Sequence, residues 1–459
     1  MSAAVTTRPR ATVVIVNYNG EHLLGPCLAA VRAQTTPAHD FDVVVVDNAS
    51  VDQSVALIER EHPWVRVIRS DRNYGFAGGN NIALRQLDTE FAVLLNTDTT
   101  VERDWLAALL ARFDDDADGR VAAVTSKILF MPRFIELGLH TDAFRPGGAD
   151  PRVLGVRVFD VEVDGESVAD KLLWERLSYG PETAGREHFW WTRPDGTVLL
   201  PVSARHGESL REPLKLRWRW TADRSKNVRL DWPGGETTVT VDPEQGWAEV
   251  VLPAGVPTLD VINNAGGMVF QDGYGADRGY QQIDDGRFDA AEEVFSACGA
   301  SVALRMAAAR SVDWFDEDFF LYYEDTDLSW RLRLEGWRIW YEPRAVVRHI
   351  HSATSLEFSP QWTFYTDRNR LLMLTKDAPV ALAIGQVVRY LVTTASMIVR
   401  SARLGIAMRR RPPLGHLRVR GRVLASFIGL CPAMVRRRRA INRSSTVPRA
   451  ALRSWLVAR

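Results

Sequence analysis

Several clusters of polar residues in this 459-residue chain have types and spacings that could do chemistry. In Leu94-Leu-Asn96-Thr-Asp98 an apolar run ends in a short polar tip with one carboxylate. Hard divalent cations take oxygen ligands, often one or two carboxylates plus phosphate oxygens. Asp98 therefore suits Mg²⁺ or Mn²⁺ held against a diphosphate, although Asn, Thr and Asp are also good helix N-caps. Asp47-Asn-Ala-Ser50 ends the preceding apolar run in the same manner. A carboxylate there can accept from a base N–H or a ribose hydroxyl; capping by Ser50 or Asp52 explains the same pattern. Asn73-Tyr-Gly75-Phe-Ala-Gly-Gly-Asn80-Asn81 reads as a glycine-rich loop before a helix, where glycine lets backbone approach a ligand closely, or simply turn tightly. No Walker lysine or dinucleotide fingerprint accompanies it.

The densest constellation is Phe315 to Arg331, with Glu324, Asp325 and Asp327 inside four positions. Helical neighbours lie three or four apart. Asp327 then pairs with Arg331, Glu324 shares a face with Leu328, and Asp325 is left on another face. A carboxylate so placed can serve as general base toward a hydroxyl; an acidic first turn favoured by the helix dipole is the structural alternative. His349-Ile-His351 follows the apolar Ala345-Val-Val347, and its histidines are either metal ligands or structural.

These residues need a scaffold. Thr12–Val16, Phe41–Val46, Val65–Ile68 and Phe91–Leu95 are strand-like runs separated by helical stretches. That alternation predicts βαβ units and a mostly parallel sheet, with ligands beyond the carboxyl ends of the strands. Asn17, Asp47, Asn73 and Asp98 fall at or just past such ends. From 141 to 258 short alternating runs are punctuated by Pro-Gly, Asp-Gly and Gly-Gly pairs, which predicts an inserted antiparallel β-sandwich. The expected divisions are 1–140 (nucleotide-sugar half), 141–258 (insert), 259–375 (acceptor and catalytic half) and 376–459 (basic tail).

Composition agrees with a folded chain, at 46% hydrophobic and 25% charged. Cys27, Cys298 and Cys431 are far apart and odd in number, which points away from a disulfide framework or a zinc site. Met1–Arg10 has no apolar run, so no secretory leader is expected. The net charge of zero conceals an acidic body and a tail with eighteen Lys and Arg against one acid, Asp377. In that tail Ala378–Val399 is apolar but interrupted by Gln386 and Arg389, and Arg409–Arg411 and Arg436–Arg439 flank Val423–Val435. Helices lying in a membrane interface, with arginines toward anionic headgroups, fit this better than a span with Arg389 at its centre. A basic helical pair packed on the body is the plainer alternative. No nucleic-acid motif accompanies the charge, so nucleic acid is not an expected partner.

Taken in order, these motifs resemble family 2 glycosyltransferases of the GT-A fold, most of all the rhamnosyltransferase-like branch of bacterial cell-surface polysaccharide synthesis. The likeness rests on Val14–Asn19, Val46–Ser50, Asn73–Asn81, Leu95–Asp98, Phe319–Leu328 and the His349 segment, within residues 11–140 and 259–375. It implies an α/β GT-A body with the inserted β-sandwich and an amphipathic helical tail. It implies a nucleotide pocket at Asn17, Asp47, Asn73, Gly75, Asn80 and Asn96, where Asn96 replaces the first acid of the family's Asp-x-Asp motif. A Mg²⁺ or Mn²⁺ would be held by Asp98 and His349, with Asp325 as base and Gly299, Ala300 and Glu324 on the acceptor side. His351 has no clear counterpart. The partners implied are a nucleotide diphosphate sugar and a glycan or lipid-linked saccharide; with the tail, they imply a cytoplasmic enzyme peripheral to the inner face of the cell membrane. Rival readings are a catalytically degenerate glycan-binding protein and a sugar-nucleotide pyrophosphorylase, which would carry basic residues where Asn17-Tyr-Asn-Gly20 stands. Trp174, Trp190, Trp191, Trp218, Trp220, Trp232 and Trp247 of the insert either stack on sugar rings or fill its core.

Overall fold

The computed structural model describes residues 8–148, 150–174, 176–184, 187–203, 206–350, 359–408 and 414–459. The chain forms two compact units: Met1–Leu129 with Ile262–Tyr280 and Gly286–Arg459, and Phe130–Val261 with Gln281–Asp285.

In the first unit β1 (Ala11–Asn17), β2 (Phe41–Asp47), β3 (Arg66–Arg69) and β4 (Phe91–Asn96) run parallel in the order β3-β2-β1-β4. The sheet continues through Ser301–Arg305, antiparallel to β4, then β6 (Val121–Phe130) and Arg338–His349, which also pairs with the short β5 (Thr99–Val101). The apolar runs are continuous because both faces are covered. Val13, Ile15, Val45 and Val93 pack with α1 (Glu21–Arg32), α2 (Ser54–Glu61) and α4 (Trp105–Asp114). Val14, Val44, Val46 and Leu94 share the other core with α3 (Gly75–Leu84), α5 (Met306–Ser311) and α6 (Glu324–Leu334). The chain leaves this unit at Leu129 and returns at Ile262, which is Leu129's partner in the sheet.

The second unit is the expected antiparallel sandwich. One sheet holds Ser178–Ala184, Glu187–Thr192, Arg157–Val163, Leu214–Thr221 and Gly246–Leu252, with the short Glu166–Ser167 at the side. The other holds Asp195–Val202, Arg133–Thr141, Lys226–Trp232 and Gly235–Val241. The expected boundary at 140/141 is corrected by eleven residues, to Leu129/Phe130. Arg133–Thr141 follows β6 after a two-residue turn, so the hydrophobic pattern gives no sign of the change. The tryptophans mostly fill the core: Trp174, Trp190, Trp218, Trp220 and Trp232 are buried, and Trp174 stacks on Trp190 as Trp218 does on Trp220. Trp191 is half-buried, and Trp247 is exposed beneath Arg217, 4.5 Å from its ring centre.

The tail is no separate body. Helix α7 (Pro360–Asp377) crosses the expected 375/376 boundary and shares a core with α6, α8 (Val380–Met408) and α9 (Gly415–Ser444). Its arginines are not all solvent-facing. Arg437 bonds Asp316 and Asp318, and Arg438 and Arg449 donate to carbonyls at the end of α7. Arg437 nevertheless remains exposed, and Arg438 and Arg449 are half-buried. On α8, Ala383, Gln386, Tyr390 and Thr394 are buried while Val380, Ile384, Val388, Leu391, Val392, Ile398 and Val399 are exposed. This is an apolar stripe at helical spacing. Val380–Arg403 is long and apolar enough to cross a membrane. Arg409–Arg411 and His351 lie outside the described residues.

Trp218→Ala is expected to destabilise the insert by about 3–5 kcal/mol, whereas Trp247→Ala should cost no more than about 1 kcal/mol, the worth of an exposed cation–π contact. Denaturant unfolding of the two variants checks this ordering.

Candidate active site

Register builds the site. Asn17 is paired with Asp47 across β1 and β2, and Val16 with Asn96 across β1 and β4, so all three polar ends reach the same edge of the sheet. Asn17 is fully buried; its amide donates to Ser50 Oγ at 3.0 Å and lies 3.5 Å from Asp47 Oδ1. Its own Oδ1 is buried without a hydrogen-bond partner among the described residues, and a Cβ on Gly20 would collide with it. A buried orphan acceptor is costly unless a ligand donor meets it. Asp52, not Asp47, bonds the start of α2, through Ser54 N–H, so capping does not explain Asp47.

Asp98 precedes the strand β5 rather than a helix, which removes the capping alternative there too. Pairing of β5 with Arg338–His349 sets His349 opposite Thr99 and brings His349 Nε2 to 3.3 Å from Asp98 Oδ1. The other ring nitrogen, Nδ1, is 3.0 Å from Asn263 Oδ1, and both Asp98 and Asn263 are buried. The imidazole thus lies between a buried carboxylate and a buried amide. One carboxylate and one imidazole fit a divalent cation whose remaining positions belong to phosphate and water. Among the described residues no cluster of three metal-ligating side chains occurs, so a cation would depend on the substrate's own oxygens.

Asp325 sits in the first turn of α6 and is half-buried. Its Oδ2 accepts from Gly299 N–H at 3.0 Å, and its Oδ1 from Thr326 N–H and Oγ1. It is held, then, rather than free on its face. The next carbonyl in the chain, Ala300 O, accepts from Asn96 N–H at 3.0 Å. Two successive residues therefore tie the base-bearing helix to the tip of β4. Gly299, Ala300 and Glu324, the residues expected on the acceptor side, are all buried, and of the three Gly299 bonds Asp325 directly. Burial pushes Asp325 above the ordinary carboxylate range, against the Gly299 and Thr326 bonds. Burial and the neighbouring Asp325 charge push Glu324 much further up, and Glu324 Oε2 has no hydrogen-bond partner among the described residues. The expected pair forms: Arg331 Nη2 lies 2.8 Å from Asp327 Oδ2.

The glycine-rich stretch behaves differently from its reading. Gly75–Leu84 is itself helix α3, and its glycines meet protein. A Cβ on Gly79 would strike Val16, one on Gly78 the Tyr74 side chain, and one on Gly75, whose φ is +68°, the Phe320 carbonyl. That carbonyl accepts from Phe76 N–H at 2.7 Å, so the helix start is occupied by the chain itself. Asn73 Oδ1 accepts from Gly75 N–H, and Asn80 is buried with its amide on Phe76 O. Asn48, which the sequence reading passed over, braces the turn: it donates to Asn73 Oδ1 and Gly75 O and accepts from Tyr74 N–H.

A second residue escaped notice. Phe320, Tyr322 and Tyr323, just before Asp325, have φ of 64°, 67° and 69°. For non-glycine residues this left-handed geometry costs roughly 1–2 kcal/mol each. Asn369 of α7 holds the loop, donating to Phe319 O, Leu321 O and Tyr322 O at 2.7–2.8 Å. The available signal was a polar Arg368-Asn369-Arg370 run directly before the apolar Leu371–Leu374.

A parallel sheet extended by an antiparallel strand, with polar tips at its carboxyl edge, is a GT-A-like fold. Residues 12–153 match the family Glycosyl transferase family 2 and residues 253–430 match Glycosyl transferase family group 2, so both parts of the α/β body are similar to family 2 glycosyltransferases. The chain is 29% identical over 132 residues to a teichoic acid poly(glycerol phosphate) polymerase of Staphylococcus epidermidis, covering 28% of this chain and 18% of that one. It is 30% identical over 107 residues to the poly(ribitol-phosphate) beta-N-acetylglucosaminyltransferase TarS of Staphylococcus aureus, covering 23% and 19%. It thus spans about a fifth of the length of these relatives. A solved mannosyltransferase of Pyrobaculum calidifontis, PcManGT with GDP-Man and Mn²⁺, is distantly similar: 13% identical, covering 98% and 88%, TM-score 0.41.

Glu324 supplies a pH test. Its folded-state value lies above the ordinary 4.5, so the fold favours the neutral acid and loses stability as pH rises from about that value toward the folded one. Glu324→Gln should melt higher than wild type at neutral pH, with the difference vanishing below pH 4.5; thermal unfolding across that range checks it.

Proposed function

We propose that this protein is an inverting, metal-dependent glycosyltransferase. It moves a sugar from a nucleotide diphosphate donor to a hydroxyl of a cell-envelope glycan or lipid-linked acceptor. The observation that carries the reading is the Gly299-Ala300 link, which sets a desolvated carboxylate beside the strand tip bearing Asn96 and Asp98. Asn17 and Asp47 offer a buried acceptor pair to the nucleotide's N–H and O–H donors, and Asn73 stands beside them through Asn48.

Asp325 takes the proton of the acceptor hydroxyl as that oxygen attacks the anomeric carbon, and the nucleoside diphosphate departs from the opposite face. A raised pKa makes Asp325 a stronger base than an exposed carboxylate once ionised, and Gly299 N–H keeps it aimed. A divalent cation on Asp98 and His349 would neutralise charge on the leaving diphosphate. The names of the matched relatives, which act on teichoic acid polymers, support an envelope acceptor. Thymidine diphosphate rhamnose is the first donor to try.

The cellular setting proposed with it is cytoplasmic, on the inner face of the cell membrane, and the tail supports that reading. The exposed stripe of α8 supplies apolar area, and the exposed Arg400, Arg403, Arg436 and Arg439 supply charge for anionic headgroups.

Nucleotide release from a panel of sugar nucleotides should require Mg²⁺ or Mn²⁺ and fall about 10²–10⁴-fold in Asp325→Asn. Its acidic limb should lie above the ordinary carboxylate range, with activity rising as Asp325 ionises, and should vanish in the variant. Turnover that ignores both chelator and Asp325→Asn, or no turnover with any donor and envelope acceptor, overturns the reading. Vesicles of phosphatidylglycerol should sediment the protein while phosphatidylcholine vesicles do not, and salt should release it; equal behaviour on both removes the membrane assignment.

A further inference from the structure

We infer that Asn369 is a positioning residue for the catalytic base: it aims Asp325 by holding the preceding loop in a conformation the loop would not keep alone. The inference rests on the transferase reading and extends it to a residue that touches neither substrate nor metal.

The geometry is specific. Asn369 is fully buried, forty-four positions after Asp325 on a different helix. Its side-chain oxygen accepts from Arg368 Nε at 2.8 Å. A guanidinium only donates, so the amide orientation is settled and the NH₂ group must face the loop. There it meets three carbonyls, of Phe319, Leu321 and Tyr322. Arg368 adds bonds to Asp318 O and Phe319 O, and Tyr365, on the same helix, stacks on Phe320 at 5.4 Å. The carbonyls converge on one donor because Phe320, Tyr322 and Tyr323 are left-handed.

What the loop holds is the site. Its Phe320 carbonyl receives Phe76 N–H at the head of α3, beside Asn73 and Gly75, and its last residue, Tyr323, leads directly into Glu324 and Asp325. Tyr323 OH in turn accepts from Gly275 N–H at 3.1 Å. Relaxation of these residues would rotate the start of α6 and draw Asp325 Oδ2 from Gly299 N–H. No other side chain among the described residues makes three bonds to that loop's carbonyls. Two N–H donors shared among three carbonyls, on strained backbone beside a general base, fit the usual place of such strain, which is at functional sites.

The test compares Asn369→Ala, Asp325→Asn and the double variant in the full chain, by steady-state nucleotide release in the presence of acceptor. Asn369→Ala should lower kcat by about 10²-fold or more, as loss of a positioned base does, with donor KM within about threefold, and should flatten the acidic limb of the pH profile. In the double variant kcat should equal that of Asp325→Asn alone, because groups acting as a unit are not additive. Asn369→Ser, which keeps one donor, should fall between wild type and alanine, and it carries the same test if alanine does not fold. Multiplicative losses in the double variant, or an acidic limb unchanged in Asn369→Ala or Asn369→Ser, overturn the inference and leave the transferase reading standing. An Asp325→Asn enzyme as active as wild type removes that reading, and the inference with it.

Discussion

Asp327 is fully buried, and Lys376 and Arg331 are buried with it. Lys376 also reaches Asp316, which Arg437 of α9 closes from the other side. Each of these charges would cost several kcal/mol if desolvated alone, and breaking one partner of such a set typically costs about 3–5 kcal/mol. Burial and the Asp327 charge push Asp377 well above the ordinary carboxylate range, while Lys376 and Arg331 keep Asp327 low. The cluster binds α6 to α7 and α9, and the residues of the site on α6 inherit their place from it.

Seen this way, tail and catalytic machinery are one packing problem. The same α7 that contributes Lys376 contributes Asn369, and α9, whose charge looks like a membrane signal, uses Arg437 to neutralise Asp316 and Asp318. Basic residues of the tail thus divide by location. Those at the α7–α9 seam are structural, and those on the outer surface, such as Arg436 and Arg439, are available to a surface of opposite sign.

What could be read from sequence follows from where information is local. The place of Asn17, Asp47 and Asp98 at the sheet's carboxyl edge was legible because a continuous apolar strand that stops at a polar residue announces that edge. The Asp327–Arg331 pair was legible from its four-residue spacing. The glycines of α3 were misread because composition does not say whether close approach is to a ligand or, as at Gly79 and Val16, to the protein's own strand. Asn48, Asn263 and Asn369 were invisible for another reason: an amide acts through partners far off in the chain, fifty positions away for Asn369 and Phe319. The insert's start was hidden because Arg133–Thr141 follows the fully buried β6 after only two residues and is itself largely buried.

The sheet order also governs how the molecule can be made. Ser301–Arg305 lies between β4 and β6, and both of those emerge from the ribosome before the insert does. At about 5–20 residues per second, β4 waits roughly 10–40 s for the strand that covers its edge. The insert is nearly contiguous in sequence and can finish in that interval, whereas the body must close through a contact of very long sequence separation, the slow kind. Until then Leu94 and Leu95 present an open strand edge, a template on which another chain could pair.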